Sequence, residues 1–512
     1  MATDWAINTA AMVKNPYFIE KAQALLPRLY RVEEFPVSCE EKRKSKDGYG
    51  KGDVLIFDFG HNHAAYFRFF CRSVGSPMDA PAFLHIKFCE TEKELWEDTA
   101  NYNGWISKGW LQEEWLHIDE LPRLIEMERR YAFRFVKITV LDTSPKFRVV
   151  LEQAARIKVS SVKEEDVELI TSEDALLQKI DEASVRTLAN CMQTVFEDGP
   201  KRDRRLWLGD LRLQALTNYE TFKNQNLVKR CLYLFAGLPN QKGMIPACIF
   251  ERPEPLMDDT FLLDYALFFA PVLAEYYEYT KDKETLEELA QCAFLQMDIA
   301  MEFVENGIVC EEGKNVRAGV YHCFIDWNED LDKQCAMQAV ILYALRYCRK
   351  LCRLLGIPEK EEYYKNLYEE MKQAAYEKFW DTQRQVFVSG KEEQISIASQ
   401  VWMILAQAVP KEEAAALLER TKDSPVVMVT PYMHHFYVTA LLESDEKAKA
   451  AAHVKAYWGG MIQAGADTFW ELYNPANEKE SPYGSHCVNS YCHAWSCTPA
   501  YLLRKYGLDK HL

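Results

Sequence analysis

The densest chemistry in the sequence is Glu197 to Asp210, EDGPKRDRRLWLGD. Four carboxylates, four cationic side chains and one tryptophan fall there between two apolar, helix-patterned segments. A core rejects unpaired charge, so these groups must face water, one another or a ligand. Asp198, Asp203 and Asp210 follow at intervals of five and seven, with Arg202, Arg204 and Arg205 among them and Trp207 as the aromatic. Crowded carboxylates raise one another's pKa and guanidinium groups lower it, so one carboxyl can keep its proton while its neighbours stay ionised to hold hydroxyls. An ion-paired loop at a helix N-terminus would use the same residue types.

Two further stretches offer a carboxylate beside an indole. Gly465 to Ser496 places Trp470 and Glu471 after a Gly-Ala-Asp-Thr turn, with His486, His493 and Trp495 further on. Phe324 to Asp330, FIDWNED, sets Asp326 beside Trp327, either to bind hydroxyls or to cap a helix. Separated loops of this kind suit glycoside hydrolysis. One carboxyl protonates the leaving oxygen, another activates water or attacks the anomeric carbon, and indoles cover the sugar's apolar face. No HExxH, P-loop, GxGxxG or GxSxG pattern occurs, and Cys487, Cys492 and Cys497, spaced by five and five, match no usual zinc site. The expectation is a small-molecule carbohydrate ligand with no metal and no cofactor.

The elements that must position these loops come in two blocks. After a short helical pattern around Phe18 to Leu29 and a charged loop, EEKRKSKDGYGKGD, about seven short runs rich in β-branched and aromatic residues follow, from VLIFDFG to RIKVSSV. They predict an antiparallel β-sandwich over 1–165. From about Glu164 apolar residues recur at three and four, predicting eleven or twelve helices. Many are apolar on both flanks, as in a barrel of inner and outer helices over 166–512 whose long polar connections gather at one rim. The 512 residues, 48% hydrophobic and 13% aromatic, supply the core for both.

A net charge of −16 argues against a nucleic-acid partner, because such binding rests on clustered Lys and Arg. The start, MATDWAINTAAMVKNPYF, lacks a signal pattern, and no stretch approaches 18 uninterrupted apolar residues, so the expectation is a cytoplasmic protein without membrane contact. The 15 cysteines, odd in number and without a CxxC pair, fit reduced thiols. A homodimer is compatible with the sequence.

DGPKRDRRLWLGD resembles the signature of the bacterial α-L-rhamnosidases, glycoside hydrolase family 78, in which a DCPxR segment leads through a carboxylate to a W-x-G-D close. GADTFWE is similar to the family's G-x-T-T-x-W-E segment, and the stretch ending at His493 to its histidine before the last helix. VLIFDFGHNHAAYFRF and YAFRFVKITV are similar to strands of the β-domain before its six-hairpin (α/α)6 barrel. The resemblance implies an inverting glycosidase with Asp203 as general acid and Glu471 as the base that activates water. It puts Asp198, Arg202, Trp207 and Asp210 in the sugar pocket, completed by Asp326, Trp327, Trp470 and His493. The sequence departs from the pattern in several places. Asp203 stands where the family carries Glu, in a loop one residue shorter, which leaves Asp198 as the other candidate donor. Gly199 replaces the family's Cys, Asp467-Thr468 replaces Thr-Thr, and the usual C-terminal β-domain is not expected. A small imported glycoside is the expected substrate. The rival readings are an (α/α)6 glycosidase or lyase for another sugar or a uronic acid, which Arg202 would suit, and a silent sugar-binding protein.

Overall fold

The computed structural model describes residues 13–41, 47–313 and 320–510. Helix α1 (Pro16–Ala24) opens the described chain, capped by the Asn15 side chain. Eight antiparallel strands follow: β1 (Tyr30–Glu34), β2 (Ser38–Glu41), β3 (Val54–Gly75), β4 (Ala82–Cys89), β5 (Glu113–Ile118), β6 (Arg123–Glu126), β7 (Tyr131–Asp142) and β8 (Phe147–Ser160).

The long strand β3 organises this sheet. Its first half pairs with β2 and with β7, the latter across a register break between Asp58 and His63, and its second half pairs with β8 and β6. Such a break bends a strand and increases its twist. The sheet thus folds over a core in which Phe67 meets Phe59, Phe88 and Phe133 nearly edge-on. VLIFDFG and AAYFRFF are therefore one strand rather than two, as are FRVVLEQ and RIKVSSV, while β1, β2 and β6 are additional. The charged loop is only partly described, since residues 42–46 lie outside the described set. Its end is not exposed: Tyr49 is buried and bridges to Val149.

The second block contains α2 (Ala175–Cys191), α3 (Leu208–Glu220), α4 (Gln225–Gly237), α5 (Leu263–Leu267), α6 (Phe269–Thr280), α7 (Lys283–Met301), α8 (Gln334–Leu355) and α9 (Pro358–Phe379). It continues with α10 (Ile397–Leu405), α11 (Lys411–Thr421), α12 (Pro431–Glu443), α13 (Lys447–Gln463) and α14 (Pro499–Tyr506). Every residue of α10 is buried, whereas α9 and α11 bury only one stripe, which separates an inner from an outer ring. The inner ring runs α3, α5–α6, α8, α10, α12, α14. It closes where Tyr501 of α14 meets His435 of α12 and α14 packs on α3. Each inner helix pairs with an outer one, the last pair joining α14 to α2 across the ends of the domain. The apolar spacing runs without a break over 211–238, yet this stretch forms a helical hairpin of α3 and α4. The Asn218 side chain donates to Asn224 O and accepts from Asn224 N at its turn, and Asn224 caps α4.

A buried polar seam joins the two blocks. Asn190 of α2 accepts from Ala64 N at 3.0 Å and donates to Asn62 O at 3.0 Å. Lys201 donates to Glu94 at 2.6 Å and to Asn489 O at 2.8 Å, while Glu90 accepts from Tyr491 N at 2.7 Å. Lys201 and Glu94 are 1% and 5% exposed, so removing the cation leaves a carboxylate stranded in the interior. Lys201→Met is expected to destabilise the fold by about 3–5 kcal/mol in denaturant unfolding; a change under about 0.5 kcal/mol, the size typical of a surface substitution, would refute the seam's importance.

Candidate active site

All six inner helices begin at one rim, and the loops preceding them carry the residues with chemistry. In the loop before α3 the chain must turn sharply without exposing the backbone to a core. Asp198 makes the turn: its carboxylate accepts from Asp203 N at 2.9 Å and from Arg205 N at 3.0 Å. Gly199 is packed so closely that a Cβ would lie 2.6 Å from Arg202 O and 2.8 Å from Ser490 Oγ. The cysteine of the family's motif would not fit this turn. Burial, and then the neighbouring Asp203, push the Asp198 carboxyl up to about 8 against the two backbone donors. The strand pair Leu206–Trp207 with Cys248–Phe250 then feeds α3, where Asp210 sits in the first turn.

The loop before α14 brings the second half. Backbones 469–471 and 490–493 run side by side, with Glu471 N bonded to Ser490 O at 3.0 Å and His493 N to Phe469 O at 2.8 Å. Arg202 crosses from the first loop to the second. It donates to the Glu471 carboxylate through one nitrogen, to Asp203 Oδ1 at 3.3 Å through another, and to Val488 O at 3.0 Å through Nε. Its guanidinium lies 4.0 Å from the centre of the Tyr483 ring, and the Tyr483 hydroxyl donates to Glu471 Oε1 at 2.7 Å. Ser490 N completes the Glu471 shell at 3.3 Å.

His493 lies among the carboxylates. Its Nε2 is 3.7 Å from both Asp198 and Glu471, and its Nδ1 is 3.6 Å from Asp210. Burial holds its pKa well below the ordinary value, so the imidazole is neutral. Burial also raises the Asp210 carboxyl well above the usual range, with the charges of Asp198 and Glu471 acting in the same direction. Asp210 Oδ1 and His493 Nδ1 are buried with no hydrogen-bond partner. The Asp203 side chain is 21% exposed and the Glu471 side chain 5%, so Asp203 is the carboxylate of this pair that reaches solvent.

An aromatic wall borders the cluster. Trp327 stands edge-on to Trp495 and Tyr483, Trp495 stacks on Phe324 and lies 4.3 Å from His493, and Trp207 meets Tyr265 edge-on. Two expected members of the site lie elsewhere. Trp470 is buried between Tyr473 and Tyr491 beneath Lys93 of the sheet domain, away from His493. Asp326 gives its oxygens to Val429 N at 2.8 Å, Thr430 N at 3.1 Å and the Thr430 hydroxyl at 2.7 Å, so it pins the loop before α12 rather than facing a ligand. Tyr483 was not among the expected site residues, and Trp495 was noted without a role.

Comparisons with known proteins identify the family and the fold. Residues 30–157 match the glycosyl hydrolase family 78 α-rhamnosidase N-terminal domain, and residues 165–506 match the bacterial α-L-rhamnosidase six-hairpin glycosidase domain. The chain belongs to glycoside hydrolase family 78. A rhamnosidase from Klebsiella oxytoca, with rhamnose bound, shares 41% identity over 97% of this chain and 99% of that one, at a TM-score of 0.92. The family 78 rhamnosidase of Bacillus sp. GL1 has the same fold, with 20% identity, a TM-score of 0.72 and 96% of this chain covered. The Streptomyces avermitilis α-L-rhamnosidase complexed with L-rhamnose shares the fold at 13% identity, a TM-score of 0.65 and 94% of this chain covered. This chain spans 48% and 44% of the length of those two proteins. No curated protein matches the sequence. The family 78 chain is a rhamnosidase-like glycoside hydrolase, and among its described residues no helix is long and apolar enough to cross a membrane.

Raised carboxyls occur both at the site and in the contacts that support it. Burial pushes Asp326 up to about 6, and pushes Asp198 and Glu90 up to about 8. The folded chain thus holds protons that the unfolded chain, with carboxyls near ~4, has released. The stability they contribute is complete below about pH 4 and is lost as pH rises through 6 and then 8. The buried histidines, held below their ordinary pKa, act the other way below about pH 7, so the thermal midpoint is expected to fall between about pH 7 and about pH 9, and a midpoint that climbs steadily across that window would contradict this assignment.

Proposed function

We propose that the chain is an inverting α-L-rhamnosidase that removes a terminal L-rhamnosyl unit from small glycosides. Asp203 is the acid that protonates the leaving oxygen, and Glu471 is the base that draws a proton from the attacking water. The observation that carries this reading is the Arg202 guanidinium, which holds both carboxylates from two loops of the barrel rim. Asp203 is chosen over Asp198 because both Asp198 oxygens already accept backbone N–H groups and the Asp203 side chain is the more exposed. Asp198, Arg202, Asp210 and His493 bind hydroxyls or position the two reacting carboxylates, and Trp207 and Trp327 cover the apolar side of the sugar. The relative described with rhamnose bound supports the choice of sugar.

A lyase or uronidase reading loses its main support, since Arg202 is engaged by Glu471, Asp203 and Val488 O rather than left for a substrate carboxylate. The scattered cysteines without a CxxC pair support an enzyme of the reducing cytoplasm.

With an aryl α-L-rhamnoside, Asp203→Asn and Glu471→Gln are each expected to lower kcat by about 10²–10⁴. NMR of the first-formed sugar is expected to show the β-anomer. A variant that keeps more than half of the wild-type rate would remove that residue from its role, and a first-formed α-anomer would remove Glu471 as a base acting through water.

A further inference from the structure

The far end of the barrel carries a feature that glycoside hydrolysis does not use. A cavity of about 520 Å³ opens between α8, α9 and the turn joining α10 to α11. Arg346, Arg349, Lys350 and Arg353 line it from one face of α8, at steps of three, one and three, and Lys372 lines it from α9. Glu369 is the one carboxylate among its lining residues. Arg346 is twelve residues from the start of α8, ~18 Å along the axis from the rim that bears Asp203 and Glu471. Five cations around one hollow are out of keeping with a chain of net charge −16.

Ordinary structural duties account for part of this set. Lys350 pairs with Glu278 at 2.6 Å, Arg353 pairs with Glu361 at 2.8 Å, and Arg346 donates to Leu405 O. Arg353 also lies in the last turn of α8, where a cation complements the helix dipole, but Arg346 and Arg349 lie outside that turn. Arg349 and Lys372 remain, the Lys372 ammonium lying 6.0 Å from the centre of the Tyr368 ring. Among the described residues neither has an ion pair or hydrogen-bond partner, and Arg349 Nε is buried with no acceptor. A buried guanidinium N–H without an acceptor is costly, and a planar fork of donors matches the oxygens of a phosphate.

We propose that this cavity is a binding site for a compact phosphate-bearing anion, with Arg349 and Lys372 as its principal ligands and Arg346 beside them. The phosphate could belong to a free inorganic anion or to a phosphorylated sugar. Melting of the full chain in inorganic phosphate, pyrophosphate or a hexose monophosphate, each against sodium chloride of equal ionic strength, tests the site. A midpoint rise of several degrees above the chloride control is expected with at least one of the three. The stronger ligand tells whether the source is the free anion or the sugar phosphate. Arg349→Met and Lys372→Gln are each expected to raise the half-saturating concentration about tenfold or more while leaving aryl glycoside hydrolysis unchanged. If one variant does not fold, the other carries the comparison. The proposal is overturned if no phosphate exceeds the chloride control, if both variants respond like the wild type, or if heparin stabilises as well as the small phosphates do.

Discussion

The buried contact between Arg202 and Glu471 is the constraint on which the rest of the site depends. A guanidinium and a carboxylate taken out of water cost several kcal/mol each unless their remaining hydrogen-bonding capacity is met. Here it is met from both loops: Val488 O and Asp203 accept from the arginine, and Tyr483 and Ser490 N donate to the glutamate. The two loops belong to opposite ends of the helical block, before α3 and before α14. They meet only because the inner ring closes α14 onto α3. The ring thus sets the spacing of the charges, and the charges in turn lock the rim.

The sheet domain completes that lock from behind. Glu90 accepts from Tyr491 N, Asn62 donates to the Asp467 carboxylate and to the Thr468 hydroxyl oxygen, and Arg130 pairs with Glu197 at 2.6 Å. Each contact lands within a few residues of Glu471, His493 or Asp198 without touching the cluster itself. Asn62 lies within β3, Arg130 directly before β7 and Glu90 directly after β4, so both site loops are held by residues that the sheet fixes in place. The orphaned polar atoms of Asp210 and His493 can then be tolerated in the free enzyme.

Much of this was legible in the sequence, and the omissions have physical causes. The apolar spacing in α7, α8 and α9 and the alternation in β4 and β7 marked those elements clearly, because one face of each is buried. The continuity of β3 was hidden because its register break carries Gly60 and polar residues that read as a turn. The charges of EDGPKRDRRLWLGD pointed to a site but not to their division of labour. Asp198 and Arg204 brace the turn, the latter through Pro200 O and Arg130 O, while Asp203 reaches solvent. Trp470 illustrates a signal that was available. Neighbouring side chains seldom enter the same cluster, and here Trp470 packs on Tyr473 and Tyr491 while Glu471 accepts from Tyr483. Tyr483 had no such signal, since it sits in a long polar loop where no periodicity marks a buried hydroxyl.

The central claim is that one arginine holds an acid and a base on either side of a sugar. It is tested most directly by a crystal structure with L-rhamnose bound. The account predicts the anomeric carbon between Asp203 and Glu471, a water on Glu471, and carboxyl groups roughly 6.5–9.5 Å apart. A separation of about 5–5.5 Å, or a sugar seated away from both residues, would contradict it.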